Sequence, residues 1–475
     1  MLGADAAVLP AERRRMRMFD LVIRRGAVCL GEETPVTCDL GIRDGVIAAI
    51  SLGDLVGRDV VDAEGKIVLP GTVDPHVHIR APGHDERETF FSGTCDAAAG
   101  GVTTIMEMPI SSPPPYSKEI VESRMRLAAS EAVVDVAFFG AAGMDQIDSI
   151  VPCAQSGIVA FKTFLHEAPK GREAEFIGLT APDTPDLYEV MKKIAESGII
   201  GAFHAENNAM IQRNIRNMTA AGRTSPKDHE RSRPPVCEIE TTAKVLLFAE
   251  ETGATVEICH ISTPRAVELV NDARARGVRV IAETCPSYLF LNVDALDRFG
   301  AFAKCNPPVR SEEERSAMWT YVLDGSIDII GSDHAPYTKE EKMKGEGNIF
   351  VPPAGFPGLG TRLPLLYTAV REKKLSLRRM IDLICTNPAK AFGLYPKKGV
   401  IAPGSDADLV LIDPMRQSAI SKDEMFTRCR DSALVFEGWN VYGKPERTIV
   451  RGRTVFADGK ILAEPGWGAI VRRGS

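Results

Sequence analysis

The chain has 475 residues, 44% hydrophobic and 25% charged, a composition that suits a large globular protein with a sizeable core and room for a second, smaller unit. A formal net charge of -7 and a pI near 5.8 leave no basic stripe, which argues against nucleic acid and against an anionic membrane surface as partners. No apolar run reaches the ~18 residues that would suggest a spanning helix. The ten cysteines (Cys29, Cys38, Cys95, Cys153, Cys237, Cys259, Cys285, Cys305, Cys385 and Cys429) form no Cys-X-X-Cys pair and read as reduced thiols of a cytoplasmic protein.

In chain order, residues 1–17 read as an N-terminal extension. They carry basic residues without a following apolar stretch, so they are not a secretory signal, and Met16 or Met18 is a candidate start. Residues 18–66 contain short β-type runs (FDLVIRRGAVCL, DLGIRDGVIAAI) broken by Asp-Gly and Arg-Gly turns, and residues 397–465 repeat the pattern (GVIAPGSDADLVLIDP, ERTIVRGRTVFADGKI). Each segment is too small to hold a core, so the two ends are expected to pair as one composite β-sandwich. Between them, in 67–396, apolar strands are predicted near 67–78, 101–109, 133–142, 157–165, 199–207, 255–262, 278–289 and 327–336. Helix-like periods such as PDLYEVMKKIAESG and PRAVELVNDARARG separate them. Eight strands alternating with helices predict an α/β fold, a (β/α)8 TIM barrel, whose active site lies at the C-terminal strand ends. The region exceeds the ~250 residues typical of that fold, so insertions are expected. The best candidates, 166–184 and 338–356, are polar and carry glycine or proline, which suits loops over a pocket.

The strand ends carry the chemistry. His76 and His78 in GTVDPHVHIR are two apart, so on a strand both imidazoles face one side and can reach one ion. A lone pair of this kind is more often a satisfied core pair. Here Lys162 interrupts the apolar GIVAFKTFL, His204 and His260 close the apolar runs within IIGAFHAEN and TVEICHIS, and Asp333 follows the apolar run within IDIIGSDHAP. A cation in the place of Lys162 must be paired, neutralised or chemically modified. Six such groups on strands one, four, five, six and eight favour a metal site over the plainer readings of Asp333 as a helix N-cap and Lys162 as a Schiff-base lysine.

The ordered motifs PGTVDPHVHIRAPG, GGVTTIMEMP, FKTFL, FHAEN, ICHIS, ETCPSYLFL, KCNPPVR, GSDHAP and TNPAKAFGLYPKKGVIAPGSDADLVLIDP resemble the cyclic amidohydrolases of the amidohydrolase superfamily over nearly the whole chain. That group includes hydantoinases, dihydropyrimidinases, allantoinases and dihydroorotases. The resemblance implies two divalent metal ions per chain, with Zn2+ the expected ion, and a carbamylated Lys162 (N6-carboxylysine) bridging them. His76, His78 and Asp333 would hold the more buried ion, and His204 and His260 the other. Asp333 would be both ligand and catalytic proton shuttle, taking a proton from the attacking water and passing it to the leaving nitrogen. The resemblance also implies a small cyclic ureide or imide as substrate and a homodimer or homotetramer.

The ring is harder to name. In dihydroorotases three polar groups grip the substrate carboxylate; this chain keeps Arg80 and has Ile110 and Tyr337 at the other two positions. Hydantoinases of D-selectivity carry a tyrosine where this chain has Glu167, beside His166. His166 and Glu167 are either substrate contacts or a solvated loop pair. The FKTFLHEA pattern looks more like allantoinases and L-type hydantoinases, and the main expectation is hydrolysis of a hydantoin-type ring to an N-carbamoyl product, with allantoinase as the alternative. Thr284, Cys285, Ala354, Gly355 and Phe356 are further candidates, through main-chain groups, and Asn306 in KCNPPVR is a weaker one. A catalytically silent scaffold would typically have lost metal positions, and all six are present. A nucleic-acid deaminase would not need Lys162.

Overall fold

Residues 18–474 are described by a computed structural model, and the extension expected at 1–17 lies outside the described residues. Eight parallel strands follow one another in chain order: Thr72–Val77, Val102–Glu107, Asp135–Ala141, Ala160–Phe164, Ile200–His204, Val256–Ile258, Val280–Thr284 and Ile329–Ile330. The eighth returns to the first just past its end, where Val77 bridges His334 and the His78 N–H donates to the His334 carbonyl at 2.8 Å. The sheet is thus a nearly closed barrel. Every residue of the first five strands is buried, which explains why they read as unbroken apolar runs with rare polar interruptions. Helices cover the outside. In Thr184–Ser197 the buried set is Leu187, Val190, Met191 and Ile194, one face of a 3.6-residue period, and Gly198 ends the helix at φ 73°. Each such aliphatic side chain contributes about 1.5–3 kcal/mol by leaving water.

The strands are shorter than the apolar runs suggest, and in two of them the cause is plain. The run 67–78 breaks at Gly71, where a Cβ would lie 2.1 Å from the Thr103 hydroxyl oxygen, and only Thr72–Val77 enters the barrel. Ile67–Pro70 pairs instead with Leu409–Ile412 in the second sheet. The run 278–289 ends at Thr284 because Pro286, at a helix start, opens Pro286–Phe290.

Both chain ends build the second sheet. Its nine strands are Phe19–Val28, Val36–Arg43, Val46–Ser51, Gly57–Asp62 and Ile67–Pro70 from one end, and Leu409–Ile412, Pro445–Val450, Arg453–Ala457 and Lys460–Ile461 from the other. The sheet curls until Ile47 N–H meets the Ser405 carbonyl at 2.9 Å, around a core that includes Ile23, Leu40, Ile42, Val68, Leu409 and Leu411. Among the described residues no helix is long and apolar enough to cross a membrane. All ten cysteines are free and buried.

Candidate functional site

Side chains from the C-terminal strand ends converge on one cavity of about 870 Å3. His76 and His78 leave the first strand on the same face, and their Nε2 atoms lie 3.4 and 3.6 Å from Asp333 Oδ1, which the loop after the eighth strand supplies. On the other wall, His204 Nδ1 lies 3.1 Å from His260 Nε2. Lys162, fully buried in mid-strand, makes its hydrogen bond to Cys259 Sγ at 2.9 Å. Three of the residues that bound this space have left-handed backbones without being glycine: Arg80 (φ 68°), His260 (φ 41°) and Asp333 (φ 47°). Such residues cost of order 1–3 kcal/mol each and cluster where surrounding structure holds a functional geometry.

Carboxylates behind the imidazoles set their tautomers. Glu283, on the seventh strand, places Oε2 2.9 Å from His76 Nδ1 and accepts the His260 N–H at 3.0 Å. Burial raises the Glu283 carboxyl to about 8 against the pull of Lys162; in its ionised form it can only accept, which places the His76 proton on Nδ1 and turns the Nε2 lone pair to the cavity. Glu206 does the same for His204 through Nε2 at 2.8 Å. Burial pushes the Glu206 carboxyl up, yet Arg233 and His204 together hold it below the usual carboxylate range. Burial drives His76 down to about 3, with the Lys162 charge adding to it, and also lowers His78, His204 and His260. Neutral imidazoles, with the His76 Nε2 and His204 Nδ1 lone pairs turned to the cavity by their carboxylates, are what a cation site needs.

The ligand atoms of His76, His78 and Asp333 lie within 4.8 Å of one another, so these three could hold a metal ion. His204 Nδ1 and His260 Nε2 face each other across a gap that only a shared proton or cation relieves. The residues present therefore fit a metal site. Asp333 keeps a 19% exposed side chain, and burial raises its pKa against the pull of His76.

Of the other sequence candidates, Arg80, His166, Glu167, Asn306, Ala354 and Gly355 line the cavity. Thr284, Cys285 and Phe356 do not line it: Thr284 Oγ1 donates to the Ile261 carbonyl, Cys285 packs beside Tyr288, and the Phe356 carbonyl accepts from Ala335 N–H. Gly355 has φ 125°, and a Cβ there would lie 2.6 Å from that of Ala335. Both expected insertions supply wall residues, among them Arg172, Glu175 and Phe176 from one and Phe350 to Gly355 from the other.

Sequence reasoning missed Glu283, Glu206, Arg172 and the role of Tyr337. Tyr337 Oη accepts from Arg80 at 3.2 Å and from Arg172 at 2.9 Å. Burial raises this phenol's pKa, but Arg80, Arg172 and Arg87 bring it below the ordinary value. Glu283 carried the signal that exposed Lys162, an ionisable residue in a buried strand, and Glu206 follows His204 by two residues.

Comparison with known proteins agrees with this geometry. The model of the amidohydrolase family matches residues 67–455. An allantoinase from Rubrobacter xylanophilus is 38% identical over 461 residues, covering 96% of this chain and 98% of that protein. An L-hydantoinase from Paenarthrobacter aurescens is 34% identical over 460 residues, with 96% and 98% covered. The solved L-hydantoinase (dihydropyrimidinase) of Arthrobacter aurescens matches with a TM-score of 0.91 at 34% identity, over 96% of this chain and 100% of that one. The chain belongs to the amidohydrolase family, in its hydantoinase, allantoinase and dihydropyrimidinase group, and is a hydrolase of that type.

Proposed function

We propose that this hydrolase opens the ring of allantoin or a closely similar ureido-substituted hydantoin, giving an N-carbamoyl product. The observation that carries the reading is the His76, His78 and Asp333 cluster at the barrel mouth of a chain 38% identical, almost end to end, to an allantoinase. His76, His78 and Asp333 would hold one divalent ion and His204 and His260 a second, with Lys162 shared as its carbamate. Zinc is the proposed ion. When bound, the metal pair would polarise the scissile carbonyl and lower the pKa of a water.

The chain's own groups account for the rest. Asp333 faces the cavity and can take a proton from the attacking water. It then delivers that proton to the leaving ring nitrogen, which cannot depart as an anion. Glu283 and Glu206 keep the imidazole lone pairs aimed inward. Arg80 lines the cavity, and its Nε and Nη1 are buried without a partner, so they can donate to a substrate carbonyl. That wall suits a ureido substituent better than an alkyl or aryl one, which would leave those donors unpaired.

Ring-opening assays of the zinc-loaded protein with allantoin, hydantoin, 5-alkylhydantoins, dihydrouracil and dihydroorotate test the assignment. Allantoin should have the highest kcat/KM, and dihydroorotate should fall at least about a hundredfold below it, because Ile110 offers no donor to a carboxylate. A higher value for plain or alkyl hydantoins would move the assignment to a hydantoinase. Preference for dihydroorotate or dihydrouracil would overturn it.

A further inference from the structure

One wall of the cavity is a stretch of irregular backbone, residues 349–355, that cannot satisfy itself. Pro352 and Pro353 have no N–H to donate, and the carbonyls of Ile349, Pro352, Pro353 and Gly355 turn inward. Two buried lysines meet them. Lys304 Nζ donates to the carbonyls of Ile349 at 2.8 Å and Pro352 at 2.6 Å; Lys342 Nζ donates to those of Pro353 at 3.0 Å and Gly355 at 2.6 Å. The Gly355 N–H donates in turn to the Lys304 carbonyl at 2.8 Å, so both main-chain groups of Gly355 are held by this pair. Lys304 is 6% exposed and Lys342 1%. Neither makes an ion pair with a carboxylate among the described residues, and the nearest in sequence, Glu341, is taken by Arg87 at 2.7 Å.

We propose that Lys304 and Lys342 are positioning residues, two buried lysines without a carboxylate partner whose amino groups hold the 349–355 backbone as the substrate-facing wall of the cavity. An ammonium group has three donors and no acceptor, which matches a cluster of inward carbonyls better than any neutral side chain. Phe350, Val351, Pro352, Pro353, Ala354 and Gly355 all line the cavity, so the placement of this wall sets the space left for the ring and its substituent.

The grip depends on pH. The groups facing Lys342 are Tyr337, Glu341, Cys305, Cys429 and Lys304, and those facing Lys304 are Arg233, His229 and Lys342. Burial pushes both lysines down, Lys342 to about 7. Above that pH the bonds from Lys342 lose their charge assistance and the wall loosens.

The test combines hydrogen exchange with kinetics on the zinc-loaded protein. Exchange at the amides of Ile349, Phe350, Val351, Ala354 and Gly355, corrected for intrinsic rate, should rise about tenfold between pH 6.5 and 8.5 in the unaltered protein. Lys342→Met and Lys304→Met should raise KM for allantoin about tenfold, leave kcat within about threefold and retain full metal content. The rise of KM with pH should vanish in Lys342→Met. Exchange that is independent of pH in the unaltered protein overturns the proposal, and needs no variant to fold. So does a folded Lys342→Met with unaltered KM and exchange. The kinetic arm rests on the ring-opening assignment, whereas the exchange arm uses no substrate, so failure of one is told apart from failure of the other.

Discussion

The buried lysines at the two ends of the barrel sit in opposite company. Towards the catalytic end, Lys162 has a thiol as its hydrogen-bond partner, 2.9 Å away, and imidazoles around it. At the far end, Lys398 Nζ reaches Asp406 and Asp408 at 2.8 Å each as well as Asp135, which opens the third barrel strand. Arg451 adds a second cation to Asp135 at 2.9 Å. The three aspartates alone look like a metal site, yet their centre is filled by the protein's own ammonium group. A buried charge with its full complement of partners ties elements together, here the barrel to the terminal sheet. Lys162 has no carboxylate within ion-pair distance among the described residues, although Glu283 and Glu257 lie near enough to raise its pKa, and it stands among the groups of the candidate site.

The comparison can be broken or sharpened by four measurements. The largest effect is expected of Asp333→Asn, which under the proposed roles keeps an oxygen donor but loses the proton shuttle. Turnover should fall by roughly a thousandfold or more with metal occupancy near normal, as read by steady-state kinetics and metal analysis. A rate within a few-fold of the original would remove Asp333 from the mechanism.

Lys398→Met should cost stability instead, about 3–5 kcal/mol in denaturant unfolding, because it leaves the buried Asp406 and Asp408 without a cation and Asp135 with Arg451 alone. Metal content of the folded protein should not change. Equal stability would mean that the aspartates protonate at little cost.

Glu283→Gln keeps a hydrogen bond to His76 but removes the ionisable carboxyl behind it. Metal affinity measured against a chelator should weaken roughly tenfold to a hundredfold. Unchanged affinity would show that Glu283 serves packing only.

The smallest effect is one of slope. Glu206 has a folded pKa below the ordinary glutamate value of 4.5, because Arg233 and His204 outweigh its burial. Its contribution to stability is therefore present above pH 4.5 and is lost as pH falls through the folded value. Glu206→Gln should flatten the acid side of the stability curve below pH 4.5, and an unaltered slope would place the acid sensitivity elsewhere.

Much of the site was legible because it is written locally. His76 and His78 need only the two-residue period of a strand to share a face, and Lys162, His204 and His260 each stand out within a dozen apolar neighbours. The residues behind them were not legible, because their roles depend on distant partners. Glu283 is 207 positions from His76, Tyr337 is 165 from Arg172, and Lys304 is 48 from Pro352. Gly71 illustrates the same limit in the fold. Nothing in IVLPGTVDP says that the first four residues leave for another sheet, since both halves are apolar and both are buried.

By itself the sequence determined the alternation of strands and helices, the composite sheet from both ends and the strand ends that bear imidazoles, lysine and carboxylate, since all follow from short-range periodicity. Only the tertiary structure decided where the first barrel strand begins, which carboxylates orient which rings, and that an arginine and a tyrosine from separate loops share one wall. Those features arise from closure of the barrel and from contacts across hundreds of residues, for which no local pattern exists.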